Sequence, residues 1–399
     1  MYALYFHGLA ALAIAQAPDT ITLQQALARA QARRPRVAAS AAGVERARGV
    51  ARLASAVPNP TSQLETDDLA PTYKFTVTQS LAWLPRRGAD LAAGRAVVAR
   101  ARADSTQSLA EVGRDVRRTF FGALAADRQL VLAAEQTTLA DSLARLAARR
   151  AAAGDISDLE RDQVALEASR ARLAAAQARE SAELARRDLA RAIAWETPPP
   201  PRPAGRLDED LEGTASDVAS PASLSIDSLP TVVGAAADAA AAAARLRAAR
   251  IARIPVPGLV AGREWGGSDG SNNLILGLAL PLPLWSRGGE AVHQARGAAA
   301  EQAALAAEAR LVARAQLEAA LVRVEESGRR ARFARDTLLP EAQRVRAGAV
   351  RLYEEGQTSV VPVLDALRSE RDVTRAAVVE LLAFQEARAD LDAVRGRQP

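Results

Sequence analysis

Residues 73–84 read Tyr-Lys-Phe-Thr-Val-Thr-Gln-Ser-Leu-Ala-Trp-Leu, and their alternation decides the fold. Tyr73, Phe75, Val77, Leu81 and Trp83 are apolar, with Gln79 among them, while Lys74, Thr76, Thr78, Ser80 and Ala82 are polar or small. A period of two marks a β-strand with one apolar face. Residues 274–285, Leu-Ile-Leu-Gly-Leu-Ala-Leu-Pro-Leu-Pro-Leu-Trp, place leucine at every even position from Leu274 to Leu284. Strands of this length are long for a soluble sheet, whereas about 9–11 residues tilted near 45° cross a bilayer. Tyr73, Trp83, Trp265 and Trp285 fall near strand ends, where aromatic girdles form at membrane interfaces. A soluble sheet with its leucine face packed on helices is the other reading of this pattern.

These strands belong to a chain written twice. Gly154-Asp-Ile-Ser-Asp-Leu lies 202 positions before Gly356-Gln-Thr-Ser-Val-Val, and the same offset matches Ser157 to Ser359 and Trp83 to Trp285. Each half reads as helix, two strands, long helix, glycine break and second long helix. The first repeat, 18–196, opens on a helix capped by Thr22 and running to about Ala56. A β-hairpin follows over 61–84, then helices over 88–150 and 157–195. A Pro-rich, acidic linker covers 197–230. The second repeat, 231–396, has a helix to about Ile254, a hairpin over 257–285 and helices over 289–353 and 359–395. Leu132, Leu139 and Leu146 recur every seven residues with Leu143 between, as in a coiled-coil seam.

Composition narrows the function. The 399 residues are 49% hydrophobic but only 4% aromatic, which suits long, closely packed alanine-rich helices better than a bulky core. Lys74 is the only lysine among 52 basic residues, and 47 acidic residues interspersed with them leave a net charge of +5. No uncompensated basic stripe suggests a nucleic-acid partner. The chain has no cysteine, two histidines (His7 and His293) and methionine only at Met1. Disulfides, thiolate metal sites, cysteine nucleophiles and a lipidated cysteine are excluded, and a histidine triad or zinc site lacks material. Neither catalytic residues nor a cofactor nor a metal site is expected. The acidic runs Asp208–Glu212 and Glu354-Glu355 lack calcium-loop spacing and read as solvated charge. The glycine-rich loop Gly266–Asn273 precedes a strand, so it reads as a hairpin loop and not a phosphate cradle.

Residues 1–17 are apolar and end in Ala15-Gln16-Ala17, the pattern of a signal peptide. No other run of 18 uncharged apolar residues occurs, so a membrane crossing must be made of β-strands. Four strands cannot close a barrel. Three copies would supply twelve, which is the physical argument for a homotrimer.

With these features in place, the chain resembles the TolC-like outer-membrane efflux family, including its heavy-metal branch. The resemblance rests on Thr22-Leu-Gln-Gln-Ala-Leu-Ala-Arg-Ala30 with Arg34-Pro-Arg-Val37, and on Tyr353-Glu-Glu-Gly-Gln-Thr-Ser-Val-Val-Pro-Val-Leu-Asp-Ala366. Leu280-Pro-Leu-Pro-Leu-Trp-Ser-Arg-Gly-Gly289 is similar to the strand-to-helix junction of the heavy-metal branch. The implied fold is an α+β membrane protein: duplicated antiparallel coiled coils plus four strands per protomer, forming a trimeric twelve-stranded barrel above a periplasmic helical tunnel. The implied function is a passive export duct in the outer membrane of a Gram-negative-type bacterium. Its partners would be outer-membrane lipid, a periplasmic adaptor and an inner-membrane pump of RND type, and its cargo small molecules or metal cations. By the same resemblance Asp365, Tyr353 and Glu160 form the tip constriction, and Gly154, Ser157, Gly356 and Ser359 belong to the adaptor-docking tips. The family's second tip acid and its tip arginine are replaced here by Pro362 and Thr358. A periplasmic coiled-coil scaffold or adaptor without a barrel is the alternative, and an enzyme a third reading.

Overall fold

The computed structural model describes residues 20–67, 72–212, 225–266 and 270–397. Residues 1–19, which include the expected signal peptide, and residues 68–71, 213–224 of the expected linker, 267–269 of the glycine-rich stretch and 398–399 lie outside the described residues.

The chain opens with a two-residue strand β1 (Thr20–Ile21), then α1 (Leu23–Arg33) and α2 (Pro35–Ala54). Thr22 caps α1 in a reciprocal capping box with Gln25. The single opening helix expected to about Ala56 is broken at Arg34, whose φ of −73° and ψ of 124° are extended. Pro35 is the cause, since its ring excludes the helical conformation from the residue before it.

Strands β2 (Thr61–Asp67) and β3 (Thr72–Ser80) form the first hairpin, and the helix α3 (Trp83–Ala152) follows. Its 70 residues correspond to about 105 Å. After a tight turn, α4 (Asp158–Ala192) returns antiparallel to α3, and β4 (Arg202–Pro203) pairs in parallel with β1. The second repeat contains α5 (Pro230–Ile251), β5 (Gly258–Gly266), β6 (Ser271–Ala279), α6 (Gly289–Phe333), α7 (Leu339–Glu354) and α8 (Val360–Val394). A π-helical turn over Ala334–Leu338 joins α6 to α7, where one uninterrupted helix to Tyr353 was expected. Pro340 explains it: proline has no N–H and crowds the carbonyl four residues back, so the preceding turn widens and Leu339 N–H reaches Ala334 O instead.

Both strands end earlier than the sequence suggested. β3 stops at Ser80 because Leu81–Leu84 turn into the helix, with Leu84 N–H donating to Leu81 O at 3.0 Å and Pro85 suited to a first helical turn. β6 stops at Ala279 because Pro281 and Pro283 have no N–H for a ladder. Trp83 therefore begins α3, and Trp285 lies in the irregular segment before α6.

The four long strands make one antiparallel sheet in the order β2-β3-β5-β6. Register places Leu64, Phe75, Arg263 and Leu274 in one cross-strand row, with Val77, Ala261 and Leu276 in the next. This face is mainly apolar, with Arg263 (bonded to Asn272), Ser62 and Gln79 among the exceptions, and on β6 Leu274, Leu276 and Leu278 are 75%, 74% and 70% exposed. The opposite face carries Thr76, Thr78, glycines and the Glu65–Lys74 pair at 3.7 Å.

Packed cores lie along the helices. Val112, Val116, Phe120, Leu189 and Ile193 form the largest, where α3 meets α1 and the end of α4. Leu211, from the linker, inserts fully buried among Leu317, Val324 and Phe384 of α6 and α8. The acidic run around it is largely solvated, as expected, and also pairs with arginines: Asp208 and Glu212 with Arg335, and Asp210 with Arg388 at 2.7 Å. Among the described residues no helix is long and apolar enough to cross a membrane.

Candidate functional site at the helical tip

Each repeat turns between its long helices by the same device. Gly154 and Gly356 adopt φ of +82° and +73°, a left-handed conformation that side chains with a Cβ disfavour. Each helix end is closed by a pair of backbone bonds: Asp155 N–H donates to Arg150 O and Gly154 N–H to Ala151 O in the first repeat. In the second, Gln357 N–H donates to Leu352 O and Gly356 N–H to Tyr353 O.

The next helices start differently. Ser157 Oγ accepts from Glu160 N–H at 3.2 Å, and the Glu160 carboxylate accepts from Ser157 N–H at 3.1 Å. Ser359 holds the equivalent position but makes no side-chain capping bond. The residue three positions on is Pro362, which offers neither an N–H nor a carboxylate. Glu160 and Pro362 are repeat equivalents, so this one difference accounts for the asymmetry.

The two turns lie side by side over an apolar cluster of Leu143, Ala147, Val164, Val360, Val363 and Leu364. Arg150 joins them. Its Nη1 donates to Tyr353 O at 2.9 Å, and its guanidinium lies 5.1 Å from the centre of the Tyr353 ring. Tyr353 is 1% exposed, and its hydroxyl has no hydrogen-bond partner among the described residues. Burial pushes its phenol above the ordinary tyrosine range.

One further turn from the tip, Glu167 is a buried carboxylate, and its partners come from two helices. Arg371 Nη1 lies at 3.0 Å and Arg368 Nη2 at 3.2 Å, both from α8, with Arg170 of its own helix at 3.5 Å. Arg368 also pairs with Asp365 at 3.6 Å. Asp365 is 69% exposed, so its carboxylate is largely solvated.

The tip thus brings together Gly154, Ser157, Glu160, Tyr353, Gly356, Ser359 and Asp365, as the sequence grouped them. Glu160 spends its carboxylate on the cap. The four aromatics expected at a membrane interface divide between the two ends of the sheet. Tyr73 and Trp265 stack near the hairpin turns, centroids 6.0 Å apart, while Trp83 and Trp285 sit at the helical end. Sequence reading missed Arg150, Glu167, Arg368 and Arg371. Glu167 left a signal: it lies between Val164 and Ala168 on the buried face of α4, an acid within an apolar stripe.

Residues 222–397 match the family model for the outer membrane efflux protein. Over these residues, its second half, the chain is similar to the outer membrane efflux proteins. It is 25% identical over 362 residues, 89% of its length and 85% of the relative's, to the cobalt-zinc-cadmium resistance protein CzcC of Cupriavidus metallidurans. Its fold matches that of CusC, whose crystal structures follow folding and transmembrane channel formation, with a TM-score of 0.79 at 18% identity. The match covers 93% of this chain and 91% of CusC. The outer membrane protein VceC of Vibrio cholerae gives 0.75 at 17% identity, covering 94% of this chain and 96% of VceC. The proteins it resembles are efflux channels, and the chain is not an enzyme.

Proposed function

We propose that three copies of this chain close their sheets into one twelve-stranded barrel and act as a passive duct across the outer membrane. The observation that carries this reading is the sheet itself, which has two open edges, β2 and β6, and a leucine row exposed along β6. An exposed, apolar, unpaired edge is unstable in water. Ring closure pairs β6 of one protomer with β2 of the next and turns the leucine face to lipid. The polar face, with its threonines and glycines, then lines a wettable lumen.

In this reading the tip is the periplasmic entrance. Asp365 from each protomer contributes to a ring of carboxylates, Arg150 and Tyr353 hold the two hairpins together, and the turns at Gly154–Ser157 and Gly356–Ser359 meet a periplasmic adaptor. An inner-membrane pump of RND type supplies the energy. The likeness to a cobalt-zinc-cadmium resistance protein supports divalent metal cations as cargo. The chain has no cysteine and no methionine beyond Met1, so cargo selection by soft ligands belongs to the pump. Reconstitution into planar bilayers tests the reading. A cation-selective conductance is expected, and the absence of any conductance from protein that inserts would contradict it.

A further inference from the structure

We propose that residues 280–285, Leu-Pro-Leu-Pro-Leu-Trp, form an interfacial wedge seated in the phospholipid leaflet at the helical end of the sheet. This rests on the barrel reading and adds a lipid contact that no strand provides. The hydrogen-bonded ladder ends with Gly258 opposite Ala279, yet the leucine alternation does not. Leu280, Leu282 and Leu284 continue the even row of Leu274–Leu278 and are 52%, 67% and 68% exposed, and Trp285 is 94% exposed.

Irregular backbone is costly in an apolar leaflet because each unpaired N–H and C=O loses its water. This segment reduces that cost in its own sequence. Pro281 and Pro283 carry no N–H, and Leu284 N–H donates to Leu282 O at 3.0 Å. The repeat-equivalent stretch of the first half solves the same problem by entering a helix at Trp83.

The flanks have the chemistry of a headgroup layer. Arg287 and Arg253 are exposed beside the wedge, with Arg253 Nε donating to Arg287 O at 3.2 Å. Arg87 lies over the Trp83 ring at 5.3 Å on the neighbouring junction. Of the acids nearby, Asp90 pairs with Arg86, while Glu290 accepts from Ser286 and keeps its charge, leaving the arginines in excess. Leucines below, indoles at the boundary and guanidiniums beyond them match lipid phosphates at an interface.

The test uses the full chain and its W285F and W265F variants in vesicles of phosphatidylethanolamine and phosphatidylglycerol. The vesicles carry bromines near the headgroup or deep in the acyl chains. The emission lost in W285F reports Trp285, whose exposure makes its replacement harmless to packing. Shallow bromines should quench that emission roughly twofold more than deep ones, as expected for a ring at the headgroup boundary, with little quenching by aqueous iodide. Iodide quenching of Trp285 without bromine quenching overturns the wedge; if Trp265 is still quenched by bromines, the barrel reading survives. If both indoles respond only to iodide, the barrel reading fails with it. A Trp285 shielded from both quenchers is covered by a second copy of the chain, which also overturns the lipid assignment.

Discussion

Glu167 and Arg371, on helices of different repeats, meet at 3.0 Å around a carboxylate that is only 6% exposed. Arg368 completes the contact and reaches on to Asp365. The charge that fastens one hairpin to the other is thus one residue away from the charge assigned to the pore. Replacing Glu167 with Gln leaves these arginines facing a neutral partner. Both are partly solvated, so the expected cost is about 1–2 kcal/mol. Thermal unfolding should fall accordingly, and channel conductance should rise as the hairpins loosen. Unchanged conductance in a destabilised E167Q would confine Glu167 to a stability role.

Asp365→Ala removes an exposed carboxylate whose only close charged partner among the described residues is Arg368. Stability should change by no more than about 0.5 kcal/mol. Reversal potentials in a salt gradient should show weaker cation selectivity. An unaltered reversal potential would remove Asp365 from the pore.

Tyr353 separates packing from polarity. Its hydroxyl is buried with no hydrogen-bond partner among the described residues, so Tyr353→Phe should be neutral or stabilising by up to about 1 kcal/mol. Tyr353→Ala, which empties the site, should cost about 3–5 kcal/mol. Because burial raises the phenol above its ordinary value near 10, the folded tip holds a proton that the unfolded chain releases. The stability from this group is complete below about pH 10 and is lost as pH rises through the raised value. Wild-type stability should therefore decline over that alkaline range more steeply than that of Y353F, as read by melting temperature against pH.

Much of this site was legible in the sequence because turns and caps are local. Thr22 as a helix cap and the two glycines as helix breaks announce themselves at short range, whereas the partners Gln25 and Glu160 of the two capping boxes emerge only in the structure. The strand ends were read too long because alternation continues through Leu284 although prolines end the ladder at Ala279. The π turn before Pro340 and the break at Arg34 follow from proline sterics that periodicity alone does not weigh. Glu167 was missed for another reason. Its partners lie 201 and 204 positions away, and only the packing of α4 on α8 brings them together.

Pro362→Glu tests the cap asymmetry directly. It restores at Ser359 the N–H and carboxylate that Glu160 provides at Ser157, and should stabilise the second-repeat tip by about 0.5–1 kcal/mol. A higher melting temperature is expected; an unchanged or lower one would mean that Pro362 serves the tip in another way.

The central claim is that the sheet is completed by other copies of the chain. The detergent-corrected mass of the membrane-extracted protein tests it most directly. The account predicts a single species at about three times the mass of the mature chain. A water-soluble monomer or dimer would contradict it, because the leucine row along β6 would then need a covering that three sheets in a ring do not provide.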